Sequence, residues 1–227
     1  MDAVERENYR YANGARNSIA QDEFMMFSLL PQKNGKLLDV GCGTGAIGDE
    51  LRKRGFEVTG LDFSEVAISK CRDKKMEARV CDVDKEGLPF PDESFDVVWG
   101  GDIIEHLFDP IFVLKEAFRV LKKDGALIIS VPNNFPLNKR IKLCLSGKSP
   151  QSNIYRKAGQ CKHHTFFSWE LLSYMLSEAS FKVEKLLSMF KIPRTKVYRQ
   201  TNSKIVTQLF GRIFIVRAEK SDFRGES

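Results

Sequence analysis

Histidine is scarce in this sequence: only His106, His163 and His164 occur among 227 residues. Proton transfer by imidazole therefore has few places to reside. Cysteine is nearly as sparse, with five residues, an odd number, and no Cys-x-x-Cys pair. That excludes a disulfide-built scaffold and favours a reducing, cytoplasmic setting. No apolar run approaches the roughly 18 residues that a membrane span needs. The opening "MDAVERENYR" is charged and has no signal-peptide core, which again points to the cytoplasm. Acids are missing from residues 133–165, where seven Lys/Arg stand. Residues 191–227 carry nine Lys/Arg against three acids. The formal charge of +6 is thus concentrated in two segments, and the rest of the chain is net acidic. An acidic partner should meet those segments.

What is present is an alternation. Residues 17–30 predict a helix with Ile19, Phe24, Phe27 and Leu30 on one side, ended by Pro31. "KLLDV" (36–40), "FEVTGLD" (56–62), "ARVCDV" (78–83), "FDVVWG" (95–100) and "ALIISVP" (126–132) predict five strands. Between them lie helices started by Ser64 and by Asp109-Pro110, and a helix stopped by Gly55. The Asp109 helix places Ile111, Leu114, Phe118 and Leu121 on one face. Such alternation with short connections predicts one doubly wound domain, a mostly parallel sheet with helices on both faces. Ser168 opens a further helix to about Glu178. Residues 181–189 and 212–219 then read as two successive strands, with no convincing helix between them. They are expected to form an antiparallel edge.

The chemistry is concentrated in "KLLDVGCGTGAIGDEL" (36–51). Gly43, Gly45 and Gly48 fit the dinucleotide spacing, whereas Gly41, Gly43 and Gly45 fit a tighter one. The strand ends at Val40, so the tighter register starts where the loop starts. Asp39 at the strand tip would repel a pyrophosphate and attract a cation. S-adenosylmethionine, with an ammonium and a sulfonium, is such a ligand, and glycines let backbone approach it. Asp62, at the end of the second strand, can accept both ribose hydroxyls, although NAD uses that position too. Asp82 can accept from an adenine amino group and leave the Val83 N–H for a ring nitrogen. Cys81 and Phe63 would wall the ring.

The stretches "LLDVGCGTG", "VTGLDFSEVAI", "CDVDKEGLPFPDESFDVVWGGDIIEHL" and "EAFRVLKKDGALIISVPN" resemble class I S-adenosylmethionine-dependent methyltransferases. A weaker echo, "HHTFFSWELLSYMLSEASFKVEKL", resembles the small-molecule branch that includes ubiquinone-biosynthesis-type O-methyltransferases. Together they cover about half the chain. The resemblance implies a Rossmann-like α/β fold with seven strands, the last antiparallel. It implies S-adenosyl-L-methionine as cofactor and S-adenosyl-L-homocysteine as product. Asp39, Gly41, Cys42, Gly43 and Gly45 would surround the methionine part. Asp62, Phe63, Asp82 and Val83 would hold the nucleoside, and Gly100 and Gly101 would offer carbonyls to the ammonium. Residues 1–30 would form a helical lid, with Arg16 a candidate partner of the methionine carboxylate. Lys123-Asp124 departs from the usual Pro-Gly before the fifth strand, in a turn.

A hydroxyl acceptor would need its proton removed. His106, in "DIIEHL" just past the fourth strand, is one candidate base; packing beside the cofactor is its other reading. His163 and His164 end the basic insertion 133–165 and either face an acceptor or orient a loop. Cys144, Cys161, His163 and His164 match no common zinc spacing, so no metal is expected. "PLNKRIKLCL" predicts an amphipathic helix with Ile141 and Leu145 among cations. It would suit an acidic or phosphorylated small molecule, an anionic membrane surface, or plain solvent. The expected activity is methyl transfer to a small molecule, oxygen favoured over nitrogen or carbon, with no obligate protein partner evident. The alternatives are an RNA or other nucleic-acid methyltransferase, a non-catalytic cofactor-binding module and an NAD-dependent enzyme. "WGGD" after the fourth strand lacks the Asn/Asp-Pro-Pro-aromatic box of amino-methylating nucleic-acid enzymes, which argues against the first.

Overall fold

The computed structural model describes residues 3–13, 21–147, 163–192 and 198–221. Five strands run parallel: β1 (Lys36–Val40), β2 (Glu57–Asp62), β3 (Glu77–Val80), β4 (Phe95–Gly101) and β5 (Leu121–Pro132). Three more, β6 (Phe181–Lys191), β7 (Tyr198–Thr201) and β8 (Ile213–Lys220), complete one sheet in the order β3-β2-β1-β4-β5-β8-β6-β7. The order reverses between β1 and β4, which in open α/β sheets is where ligands bind.

Helices cover both faces because successive strand residues alternate in direction. Leu38, Val98, Leu127 and Ile129 join one buried cluster, against α6 (Pro110–Val120) and α8 (Trp169–Glu178). Leu37, Val97, Trp99 and Ile128 join the other, against α2 (Gln21–Met26), α3 (Ala46–Lys53) and α4 (Glu65–Asp73). Each fully buried Leu or Ile contributes about 1.5–3 kcal/mol. Helix starts follow the sequence. Ser64 Oγ accepts from Ala67 N at 3.2 Å, Asp109 Oδ1 from Phe112 N at 2.9 Å, and Ser168 Oγ from Leu171 N at 3.2 Å. Such caps are each worth about 1 kcal/mol.

The last strands form the expected antiparallel side of the sheet: β8 lies between β5 and β6, antiparallel to both, with Phe214, Ile215 and Val216 buried. Three expectations need correction. Among the described residues the sheet has eight strands, because β7 adds a short antiparallel partner to β6. A helix, α9 (Lys204–Phe210), separates the last strands. Its β-branched run Ile205-Val206-Thr207 masks it in sequence, but Ser203 caps it at Val206 N and Thr207 is buried. Lastly, α2 gives way to a 3-10 turn at Phe27–Leu29, which rotates the inward face. Met26 and Leu29 are buried there, and Phe24 is exposed. The basic segment does form a helix, α7 (Leu137–Ser146), while 148–162, with Cys161, lies outside the described residues.

Candidate active site

The loop after β1 is built by its own glycines. Gly41, at φ +76°, starts the turn; its N–H and that of Cys42 both donate to the Leu61 carbonyl, at 2.8 and 2.9 Å. A Cβ on Gly41 would lie 2.9 Å from Ile103 Cδ1. Gly43, at φ +51°, donates its N–H to Asp62 Oδ2 at 3.0 Å. The other Asp62 oxygen accepts from Ser64 N at 2.9 Å. One carboxylate thus ties the glycine loop to the start of α4. Gly45 stands left-handed at the start of α3.

Asp39 lies on β1 beside this loop and is buried, and its Oδ2 finds no hydrogen-bond partner among the described residues. Burial, helped by the charges of Asp62 and Glu23, pushes its carboxyl up to about 7 from 3.8. An unpaired buried carboxylate is costly and a cation relieves the cost. The site therefore fits a cationic donor better than a diphosphate. The β4 backbone opens toward the same place: β1 pairs with β4 only as far as Asp39↔Trp99. Gly100 and Gly101 pair with Ile129 and Ser130 of β5 but have no ladder partner on the β1 side.

The adenine side differs in detail. β3 ends at Val80, so Asp82 is the residue before a short helix α5 (Val83–Glu86) rather than a strand tip. Its carboxylate pairs with Lys85 Nζ at 2.8 Å. Val83 N–H opens that helix, where no intrahelical acceptor exists. Phe63 is half-buried beside Asp62. Cys42 does not present its side chain: the thiol is buried, 4.0 Å from Cys71 Sγ and against Gly60. That thiol also donates to the Gly43 carbonyl at 3.7 Å, so its side chain braces the loop from within. Arg16 lies outside the described residues.

Above the loop sits α1 (Ala3–Ala12). The Tyr11 hydroxyl would be 3.2 Å from a Cβ on Gly43, and Asn8 Oδ1 accepts from Ser64 Oγ at 2.6 Å. Lys70 Nζ donates to the Tyr11 carbonyl. The N-terminal helix thus covers the glycine loop and the start of α4.

Past β4 the chain turns sharply. Asp102 takes φ +51° and is locked by Ser130, whose Oγ accepts from Asp102 N at 3.0 Å and donates to Asp102 Oδ1 at 2.9 Å. That turn carries a 3-10 helix, Ile104–His106. The returning chain is pinned to it, since His164 N and Thr165 N donate to the Glu105 carbonyl at 2.7 and 3.2 Å. His106 and His163 consequently meet, ring centroids 4.8 Å apart and perpendicular. Burial and the neighbouring His106 hold His163 below the usual imidazole range. Glu105 is buried beneath them and its Oε2 lacks a hydrogen-bond partner among the described residues. Burial, then Asp102, pushes its carboxyl up to about 8. One ligand atom each from Glu105, His106 and His163 lie within 4.8 Å of one another, a grouping that could hold a metal ion. His164 is not in this group. It is exposed and lies tilted against Phe108, ring centroids 4.1 Å apart.

Sequence reasoning missed Glu105, Asp102, Ser130 and Glu23. The signal for Glu105 was its place beside His106. Nothing local marks Ser130 as the partner of a residue 28 positions away.

A methyltransferase-domain family model matches residues 38–129. A ubiquinone biosynthesis O-methyltransferase of Thiobacillus denitrificans is 30% identical over 177 residues, 74% of each chain. A "probable S-adenosylmethionine-dependent methyltransferase" of Mycobacterium tuberculosis is 35% identical over 160 residues, 70% of this chain and 53% of that one. This chain spans about half the length of several such curated relatives. A solved S-adenosylmethionine-dependent methyltransferase of Thermotoga maritima superposes with a TM-score of 0.67 at 25% identity, covering 86% of each chain. The glycine loop, the switch point and an orphaned acid suited to a cation agree with these likenesses, and the chain belongs to the S-adenosylmethionine-dependent methyltransferases.

Proposed function

We propose that this enzyme methylates a hydroxyl oxygen of a small molecule, with His106 and His163 handling the acceptor's proton. The observation that carries the reading is the His106–His163 pair, past the end of β4 and next to the switch point. The O-methyltransferase names among its relatives support oxygen as the accepting atom. The cofactor supplies an electrophilic methyl group on a sulfonium.

The chain's own part is alignment and proton removal. Asp39 and Asp62 would hold the cationic and ribose parts, fixing where the methyl group stands. Ile103, against Gly41, would limit how the acceptor approaches. His106 would take the hydroxyl proton as the oxygen becomes nucleophilic, an effect worth about 10²–10⁴-fold. Glu105, poised near neutrality, would hold the histidine pair in orientation. Cations on the insertion would favour an acidic or phosphorylated acceptor. The four described cysteines, all free thiols, suit a reducing cytoplasm.

The test is incubation with methyl-labelled S-adenosylmethionine and a panel of hydroxylated, amine and RNA acceptors, with and without a chelator. Label on hydroxyls alone supports the reading; label on RNA or on amines alone overturns it. Loss of transfer with the chelator, restored by a divalent cation, would replace the imidazole base with a metal at Glu105, His106 and His163.

Asp39 gives a pH test. Its pKa in the fold lies above the ordinary value, so the ligand-free protein is penalised as pH rises through about 7. A bound cation pulls the pKa down, and binding must release a proton. Cofactor affinity should therefore rise by up to about tenfold per unit below pH 7 and level off above it. Calorimetry in buffers of different ionisation enthalpy measures the proton directly. Equal affinity at pH 5.5 and 7.5 would remove Asp39 from the cation's contacts.

A further inference from the structure

Helix α7 has none of its residues buried. Ile141 is 49% and Leu145 84% exposed, although apolar residues at four-residue spacing normally face a core. The same helix carries Lys139, Arg140 and Lys142. α7 packs on α9, which exposes Ile205 at 70% and Phe210 at 52%. The chain around α9 adds Arg199, Lys204 and Arg212. Neither 133–147 nor 198–212 contains an acid, so six cations face no charge of opposite sign within these two segments. The two segments are held together at their base. Asn133 Nδ2 lies within hydrogen-bond distance of the carbonyls of Thr207, Gln208 and Gly211, at 3.3, 3.3 and 3.0 Å. Burial and the nearby Arg212 keep Lys139 below the usual lysine range, which marks how closely the cations of the two segments approach.

We infer that α7 and α9 form one docking surface for an anionic lipid bilayer, on the carboxyl side of β5. The combination decides the occupant. Cations alone would suit any polyanion. Exposed leucine and isoleucine gain nothing from phosphates in water, but gain free energy at the headgroup–acyl boundary. Across α7 and α9 Phe210 is the sole aromatic side chain, short of the succession of stacking platforms that a single RNA strand uses. No helix among the described residues is long and apolar enough to cross a membrane, so attachment through this surface is peripheral. The surface lies outside the cofactor site, and its test is independent of which acceptor is methylated.

The experiment is flotation of the full chain with vesicles of phosphatidylcholine alone or mixed with phosphatidylglycerol, at low and high salt. The chain should float with the mixed vesicles only, and salt should release it. Each cation at such a surface is worth about fivefold in partition, so Arg140→Gln with Lys142→Gln should lower binding by at least tenfold. Leu145→Glu should do the same. Both variants should bind S-adenosylhomocysteine as the parent does, which shows that they fold. No flotation at low salt, equal flotation on neutral vesicles, flotation unaltered by the variants, or retention on RNA in preference to vesicles would each overturn the inference.

Discussion

Replacing His106 with alanine is expected to lower turnover by about 10²–10⁴-fold while cofactor affinity stays within about threefold. The ring stands past the end of β4, paired with His163 and not with the glycine loop. Its removal therefore takes away a proton acceptor without touching the residues proposed to hold the nucleoside. His106→Asn keeps a polar side chain of similar size but no basic nitrogen, and should be nearly as slow. Single-turnover methyl transfer, with calorimetry on S-adenosylhomocysteine, separates the two quantities. A variant that loses cofactor affinity along with turnover would make His106 a packing residue under the nucleoside instead.

Asp62→Ala is expected to weaken S-adenosylhomocysteine binding by at least about 100-fold. Two contributions add. The carboxylate would accept the ribose hydroxyls, and hydrogen bonds to a charged group are worth about 1.5–3 kcal/mol each. It also accepts from Gly43 N and Ser64 N, so its loss strands one part-buried and one buried donor, the buried one at about 1–3 kcal/mol, and loosens the loop. Asp62→Asn keeps acceptor oxygens in part and should fall between the two. Thermal melting of each variant distinguishes a folded protein with poor affinity from an unfolded one. Affinity within threefold of the parent would remove Asp62 from the nucleoside site.

Much of the fold was legible because its signals are local. Ser64, Asp109 and Ser168 mark helix starts by capping a donor three residues on. The glycine loop announces itself by residue type, since positive φ is required at Gly41 and Gly43. What stayed hidden depends on distance. α9 was missed because the β-branched run Ile205 to Thr207 is a weak helix signal, and only burial of Thr207 and the anchor from Asn133 fix the helix. The inward face of α2 was misjudged because a switch to a tighter helix at Phe27 leaves no mark in the periodicity. Candidate site residues divide likewise. Asp39 could be singled out from its strand-tip position. Glu105 acquires meaning only when His163, 58 residues later, is brought back against His106 by the Glu105 carbonyl.

The central position of β8 has a consequence for synthesis. During translation the five parallel strands are complete by residue 132, yet the strand that seals their open side is the last of the eight to be made. Until it emerges, β5 offers unpaired amides and carbonyls from Ala126 to Pro132, and β6 has no strand through which to reach it. Arg217 on β8 also donates to the Leu29 carbonyl, so the seat of the N-terminal segment waits for the same moment. Roughly 90 residues separate the two events, some 5–20 seconds on a ribosome. Through that interval the nascent chain displays a long apolar edge, the feature that invites strand pairing between neighbouring chains.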